Sequence, residues 1–193
     1  MKNGFFALIA RSRNIIRWGL MRNSFAENAQ EHAAMTAVIA HALAVISNRE
    51  FGGAIDSGAC AAAALYHDAA EIITGDLPTP IKYHNPELTE AYKRVESLAV
   101  TKLLDTIPET MRPDYAALLS VDDVSVRRIV KAADKLAAYV KCVQERSGGN
   151  AEFLSAERNT LAALNAMQMP EVNYFIDNFL PAFGLNLDEL TGE

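Results

Sequence analysis

Apolar residues recur every three and four positions through most of this chain, and nowhere do they alternate at period two for long enough to build a sheet. After Asn28, for example, Met35, Val38, Ile39, Ala42 and Ile46 fall at helical intervals. Alanine reinforces the pattern. It supplies 32 of the 193 residues, has the best helix propensity and loses no side-chain entropy. Only 7 prolines and 10 glycines occur, mostly where helices would end. The expectation is an all-α fold, a single compact helical bundle spanning residues 1–193.

The same cues place the elements. A first amphipathic helix is expected over residues 3–16 and a loop over 17–23. A second helix starts near Asn28 and stops before Gly52-Gly53. Asp56 or Ser57 caps a third that runs through Ile73 and is apolar nearly all round before His67, so it is buried. Gly75 closes it, and Pro78 and Pro80 keep it from resuming. Asn85-Pro86 opens a long helix to about Ile107, and a short helical segment follows over 108–120. Asp122 or Asp123 caps a helix to Glu145 or Arg146. Another covers 151–167, and an aromatic segment follows Pro170, with Tyr174, Phe175, Phe179 and Phe183 as core or dimer contacts.

Charge narrows the choice of partner. Eighteen basic against 24 acidic residues give a net charge of -6, the wrong balance for coating nucleic acid. The average hides an asymmetry. The first 26 residues carry five basic and no acidic groups, and the remainder carries 13 basic against 24 acidic. Cys60 and Cys142 lie 82 positions apart in apolar helical patterns and read as buried free thiols of a reducing cytoplasm. The apolar run 4–10 is short for a signal core, and the uninterrupted run 59–66 is far below the ~20 residues that span a bilayer. A cytoplasmic protein without membrane contact is expected.

Chemistry concentrates in Tyr66-His67-Asp68-Ala69-Ala70-Glu71. Three ionisable groups on an apolar helix would each cost on the order of several kcal/mol to bury without partners. A bound metal or a tight polar network offsets that. On a helix, His67 and Glu71 share a face and Asp68 is rotated by ~100°. The pattern is not the zinc-protease one, in which two histidines lie a turn apart. His32, near the start of the second helix, and Asp134, in a later alanine-rich helix, complete a candidate set of two imidazoles and two carboxylates. Such a mixed nitrogen and oxygen set suits one divalent transition metal: Co, Mn, Zn, Fe, Ni or Cu. His41 falls about two and a half turns beyond His32, faces away from it and is read as structural. His84 reads as a surface loop residue.

A first His, a His-Asp pair and a distant Asp, all on helices, resemble the HD-domain metal phosphohydrolases. The likeness extends to Arg17-Trp18, to Glu27-Asn28-Ala29-Gln30-Glu31-His32 and to Thr74-Gly75-Asp76-Leu77-Pro78-Thr79-Pro80. These segments, with Lys131-Ala132-Ala133-Asp134 and Tyr139-Val140-Lys141-Cys142, resemble the bacterial 5'-deoxynucleotidases of the YfbR type over nearly the whole chain. The resemblance implies one divalent cation held by His32, His67, Asp68 and Asp134. It implies a cytoplasmic homodimer whose partner molecule is a small deoxynucleoside monophosphate. The reaction implied is hydrolysis of 2'-deoxynucleoside 5'-monophosphates to deoxynucleoside and phosphate.

On that reading the metal activates a water at neutral pH and polarises a phosphate oxygen. The sugar 5'-alkoxide leaves poorly, so a proton relay is needed, and Glu71 is the candidate acid/base. Arg17 is the candidate phosphate orienter, because a guanidinium holds phosphate through a bidentate fork. Trp18 shapes the sugar or base pocket, Asp76 accepts from a sugar hydroxyl, and Leu77, Pro78 and Thr79 form the wall. His32, Asp68 and Asp134 also face the substrate. Two other readings fit the residues: an HD phosphohydrolase for another nucleotide or phosphate ester, and a non-catalytic helical interaction protein.

Overall fold

A computed structural model describes residues 3–77 and 85–192. Among these the fold is helical, and the one bridge between extended residues is the antiparallel pair Ile16–Asn28. The helices are α1 (Phe5–Ile9), α2 (Ala29–Glu50), α3 (Ser57–Tyr66), α4 (Glu71–Thr74), α5 (Pro86–Leu104), α6 (Arg112–Leu119), α7 (Val124–Ser147), α8 (Leu154–Ala166), α9 (Pro170–Asn178) and α10 (Leu187–Thr191).

The start of each long helix is written locally. Asn28 and Glu31 form a reciprocal capping box that satisfies the first amides of α2. The Asp56 carboxylate accepts from Ala59 N at 2.9 Å, and Asn85 Oδ1 from Leu88 N at 2.7 Å. Asp123 Oδ1 accepts from Ser125 N at 2.7 Å and so opens α7. Each cap of this kind stabilises its helix by about 1 kcal/mol.

Helices α2, α3 and α7 pack at the centre. Ala37, Ala40, Ala44, Ala63, Ala64, Ala132, Ala133 and Ala137 are all buried in this core. Small side chains at the contact bring helix axes close together. The alanine content therefore does more than favour helix: it sets the spacing between the helices that carry the site. Enlarging Ala40, which has no exposed surface, would force side chains off their rotamers at a cost of about 1–3 kcal/mol. A second cluster of Phe5, Ala69, Leu103 and Ile107, backed by Tyr66 and Tyr115, packs α1 and α5 behind the turn that follows α3.

Helix α2 is long and apolar enough to cross a membrane by length and composition. More than half of that span is buried inside the fold, as befits a core helix. Cys60 and Cys142 are free and fully buried. Burial pushes their thiols up to about 11 and about 12, with nearby carboxylates adding to the shift.

Three expectations need correcting. The first helix stops at Ile9 and tightens into a 3-10 turn over Ala10–Asn14. There Ser12 Oγ donates to Ile9 O at 2.8 Å and competes for a helical acceptor. The third helix stops at Tyr66 instead of running to Ile73. The Ala64 carbonyl accepts from the His67 ring Nδ1 at 2.7 Å and from His67 N at 3.4 Å, in place of the Asp68 amide that a continuing helix would supply. The chain then turns through residues 67–70 before α4 begins. Helix α5 ends at Leu104, three residues short of the expected Ile107. Thr106 Oγ1 donates back to Leu103 O at 2.7 Å there.

Candidate metal and phosphate site

Three separate segments converge on one point. His32 comes from the first turn of α2, His67 and Asp68 from the turn after α3, and Asp134 from the middle of α7. His32 Nε2 lies 3.0 Å from Asp134 Oδ1, His67 Nε2 lies 3.0 Å from Asp68 Oδ2, and His67 Nε2 lies 3.8 Å from Asp134 Oδ1. Donor atoms of His32, His67 and Asp68 all fall within 4.8 Å of one another. The break after Tyr66 is what permits this. Adjacent residues on a continuous helix point ~100° apart, whereas the turn lets His67 and Asp68 aim at one spot.

The donor set fits a divalent metal. The bond from His67 Nδ1 to the Ala64 carbonyl fixes the tautomer and turns Nε2 inward. Among the described residues Nε2 has no hydrogen-bond partner, although it is buried and carboxylate oxygens are close. A cation with open coordination positions matches such an atom better than a proton does. Electrostatics agree. Burial opposes a charge on His67, yet Asp68 and Asp134 raise its pKa to about 10. Burial likewise opposes ionisation of Asp134 and Asp68, but the two histidines hold Asp134 well below the usual carboxylate range, and His67 and Arg17 lower Asp68.

A cation stands beside the cluster. Arg17 Nη1 lies 3.3 Å from Asp68 Oδ2, and Arg17 Nε lies 3.6 Å from Glu27 Oε2. Burial disfavours its charge, but Asp68, Asp134, Asp76 and Glu27 together raise its pKa further. Trp18 adopts a left-handed φ of 57°, rare for a bulky residue. Its indole Nε1 donates to Glu27 Oε2 at 2.8 Å, and its ring lies 5.3 Å from Phe153.

The chain matches the family described as 5'-deoxynucleotidase YfbR-like over residues 4–183. A 5'-deoxynucleotidase of Shewanella oneidensis is 46% identical over 187 residues, covering 96% of both chains. One of Yersinia pestis is 46% identical over 189 residues, covering 97% of this chain and 96% of its own. The chain belongs to this family. Its fold is that of the HD-domain phosphohydrolases. A Listeria innocua HD-domain phosphohydrolase superposes with a TM-score of 0.80 at 26% identity, over 97% of this chain and 95% of its own. A cyanophage S-2L HD phosphohydrolase, solved with dA and one catalytic zinc ion, superposes with a TM-score of 0.66 at 20% identity, over 91% of this chain and 95% of its own.

Within this family member, the structure brings together Arg17, His32, His67, Asp68 and Asp134, with Trp18 one position along the same loop. Glu71 is buried at the start of α4, so a turn rather than one helical face relates it to His67. Gly75, at φ +76°, redirects the chain after α4 with room that a side chain at this φ would strain. Asp76 and Leu77 follow, half-buried, and Asp76 is near enough to act on the Arg17 charge. Pro78, Thr79 and His84 lie outside the described residues. His41 is exposed, on the opposite face of α2 from the fully buried His32, so it faces away as expected but has no core role.

Sequence reasoning missed Glu27 and Thr36 as members of the site. Glu27 ties Arg17 to Trp18, and its Oε1 lies 4.0 Å from His32 Nδ1. Thr36 Oγ1 lies 3.4 Å from His32 Nε2. Helical spacing from His32 points to Thr36, one turn on. Glu27 opens the segment that carries the family resemblance, but its contacts to Arg17 and Trp18 depend on how the loop closes.

Proposed function

We propose that this chain acts as one domain that hydrolyses 2'-deoxynucleoside 5'-monophosphates to deoxynucleoside and phosphate. The observation that carries the reading is the convergence of His32, His67, Asp68 and Asp134 from three segments, with the Arg17 guanidinium against Asp68. Those four residues would hold one divalent transition metal, which lowers the pKa of a bound water and polarises a phosphate oxygen. Imidazole nitrogen and carboxylate oxygen suit Co, Mn, Zn, Fe, Ni or Cu, and the catalytic zinc of the cyanophage phosphohydrolase makes zinc one arm of the test.

The protein's own groups do the rest. Among the described residues, Arg17 Nε has no hydrogen-bond partner, and a guanidinium is suited to holding phosphate oxygens. It lies beside Asp68 and so orients the phosphate for in-line attack. As the water oxygen bonds to phosphorus and the bond to the sugar 5'-oxygen breaks, one proton must pass to that oxygen. Glu71, buried one turn beyond the His67 cluster, is the group proposed to carry it. Asp76 accepts from the sugar hydroxyl, and Trp18 with Leu77, Pro78 and Thr79 encloses sugar and base. A homodimer in the cytoplasm completes the reading. The exposed apolar side chains of Val38, Val45 and Leu65 on adjoining helices support a self-contact, and two buried reduced thiols suit a reducing compartment.

The test is phosphate release from dAMP, AMP and 3'-AMP after stripping the protein and reloading it with Mn, Co or Zn. Metal-restored release from dAMP above AMP, with none from 3'-AMP, is the expected result. Equal rates on dAMP and AMP would remove the sugar preference, and no release from any 5'-monophosphate would remove the nucleotidase reading.

A further inference from the structure

Arg17 and Trp18 sit on a loop that runs from Ile16 to Asn28 and is closed at its base by the bridge between those two residues. Arg17 N donates to Glu27 O at 2.9 Å, and Ala29 N donates to Ile15 O at 2.9 Å. At the tip, Trp18 O accepts from Met21 N at 2.8 Å and from Asn23 Nδ2 at 3.2 Å. Compact closed loops of this length are frequent carriers of function.

Beneath the loop lies a buried ion pair. Lys141 and Glu145 are one turn apart on α7 and are 2% and 0% exposed. Lys141 Nζ lies 2.5 Å from Glu145 Oε1, donates to Phe25 O at 2.6 Å and sits 3.4 Å from the centre of the Phe25 ring. Glu145 Oε2 accepts from Ser24 N at 2.9 Å and from Asn150 Nδ2 at 2.8 Å. Asn150 Nδ2 also donates to Arg22 O at 2.7 Å. Among the described residues, every side-chain hydrogen bond of Lys141 and Glu145 beyond the pair itself thus goes to this loop or to Asn150, which holds the same loop. A buried ion pair is a poor route to stability, since apolar residues of the same volume often do as well. Loop placement is a better account of why charge stands here.

We propose that Lys141 and Glu145 are positioning residues that seat the 16–28 loop, so that Arg17 meets the phosphate and Trp18 rests on Phe153. The proposal rests on the nucleotidase reading for its substrate arm and is independent of it for its structural arm.

Trp18 is the chain's only tryptophan, so its emission reports the loop directly. The experiment compares Glu145→Gln, and the double variant Lys141→Met with Glu145→Leu, against the unsubstituted protein. It reads Trp18 emission and acrylamide quenching, metal content, and kcat and KM for dAMP at a temperature where each protein is fully folded. The double variant keeps the buried volume and stands in if unpaired Lys141 prevents Glu145→Gln from folding. The expected result is red-shifted, more readily quenched Trp18 emission and a KM raised about tenfold or more, with metal content unchanged. A purely structural pair would lower the melting temperature while emission and KM of the folded protein stayed put, and that result overturns the proposal. Moved emission with unchanged KM overturns it as well. No dAMP turnover by the unsubstituted protein would remove the nucleotidase reading instead, and the emission arm would then decide on the pair alone.

Discussion

Helix α7 carries two ionic clusters along one side, and they are built on opposite principles. Asp134, Lys141 and Glu145 are seven and four residues apart, close to whole numbers of helical turns. Around Lys141 and Glu145, one cation meets one anion and the spare lone pairs find amides. Around Asp134, two imidazoles and two carboxylates crowd together, and His32 Nδ1, His67 Nε2 and Arg17 Nε are buried without hydrogen-bond partners among the described residues. One helix thus presents a matched cluster that fixes a loop and an unmatched cluster that calls for a cation. Unmatched buried polarity is costly, so its presence marks chemistry where the matched pair marks placement.

The largest effect expected from breaking this contrast is at Asp134. Asp134→Ala should abolish metal uptake and lower phosphate release beyond the roughly 100-fold that loss of an outer metal partner costs. Metal analysis of the purified variant, alongside its far-ultraviolet circular dichroism, checks this. A folded variant that retains metal and turnover would take Asp134 out of the site.

The matched cluster should answer in stability first. Glu145→Ala strands a buried ammonium and should cost about 3–5 kcal/mol in urea unfolding. Its pH dependence has a definite sign. Burial opposes ionisation of Glu145, but hydrogen bonds from Lys141, Asn150 and Ser24 lower its pKa to about 2. A carboxyl lowered in the folded state stabilises fully above its unfolded pKa and loses that contribution as the pH falls towards 2. From about 4.5 down to about 2, the contribution at stake is about 3 kcal/mol. The stability advantage of the native pair over the Lys141→Met, Glu145→Leu variant should therefore shrink through that window. An advantage that stayed flat with pH would mean that Glu145 does not titrate as the structure implies.

The two clusters also differ in how far the sequence disclosed them. Helix starts at Asn28, Asp56, Asn85 and Asp123 were legible because a cap is a local contact between a side chain and amides two or three residues on. His32, His67, Asp68 and Asp134 were legible as candidates because each is a polar interruption in an alanine-rich run. The turn at residues 67–70 was not legible, since it follows from the His67 ring taking the Ala64 carbonyl, a choice that helix propensity does not encode. Lys141 and Glu145 were the least visible of all. A lysine four residues before a glutamate reads as a solvated surface pair. Only the 16–28 loop, more than 110 positions away in sequence, folds over it and makes it buried. Glu27 was missed for the same reason.

The smallest expected effect separates the buried hold on the loop from an exposed one. Arg22 Nε pairs with Glu152 Oε2 at 2.5 Å, and Glu152 Oε1 also accepts from Arg22 N at 3.1 Å, so this contact too ties the loop to the body of the fold. The Arg22 side chain is 93% exposed, however, and solvent-facing ion pairs contribute little. Glu152→Gln removes the charge and keeps an oxygen for the backbone amide. It should leave Trp18 emission unchanged and shift the dAMP KM by less than about twofold. If Glu152→Gln instead released the loop as fully as Glu145→Gln, proximity to the loop rather than burial would be what matters. The contrast between the two ends of α7 would then have to be redrawn around Glu152.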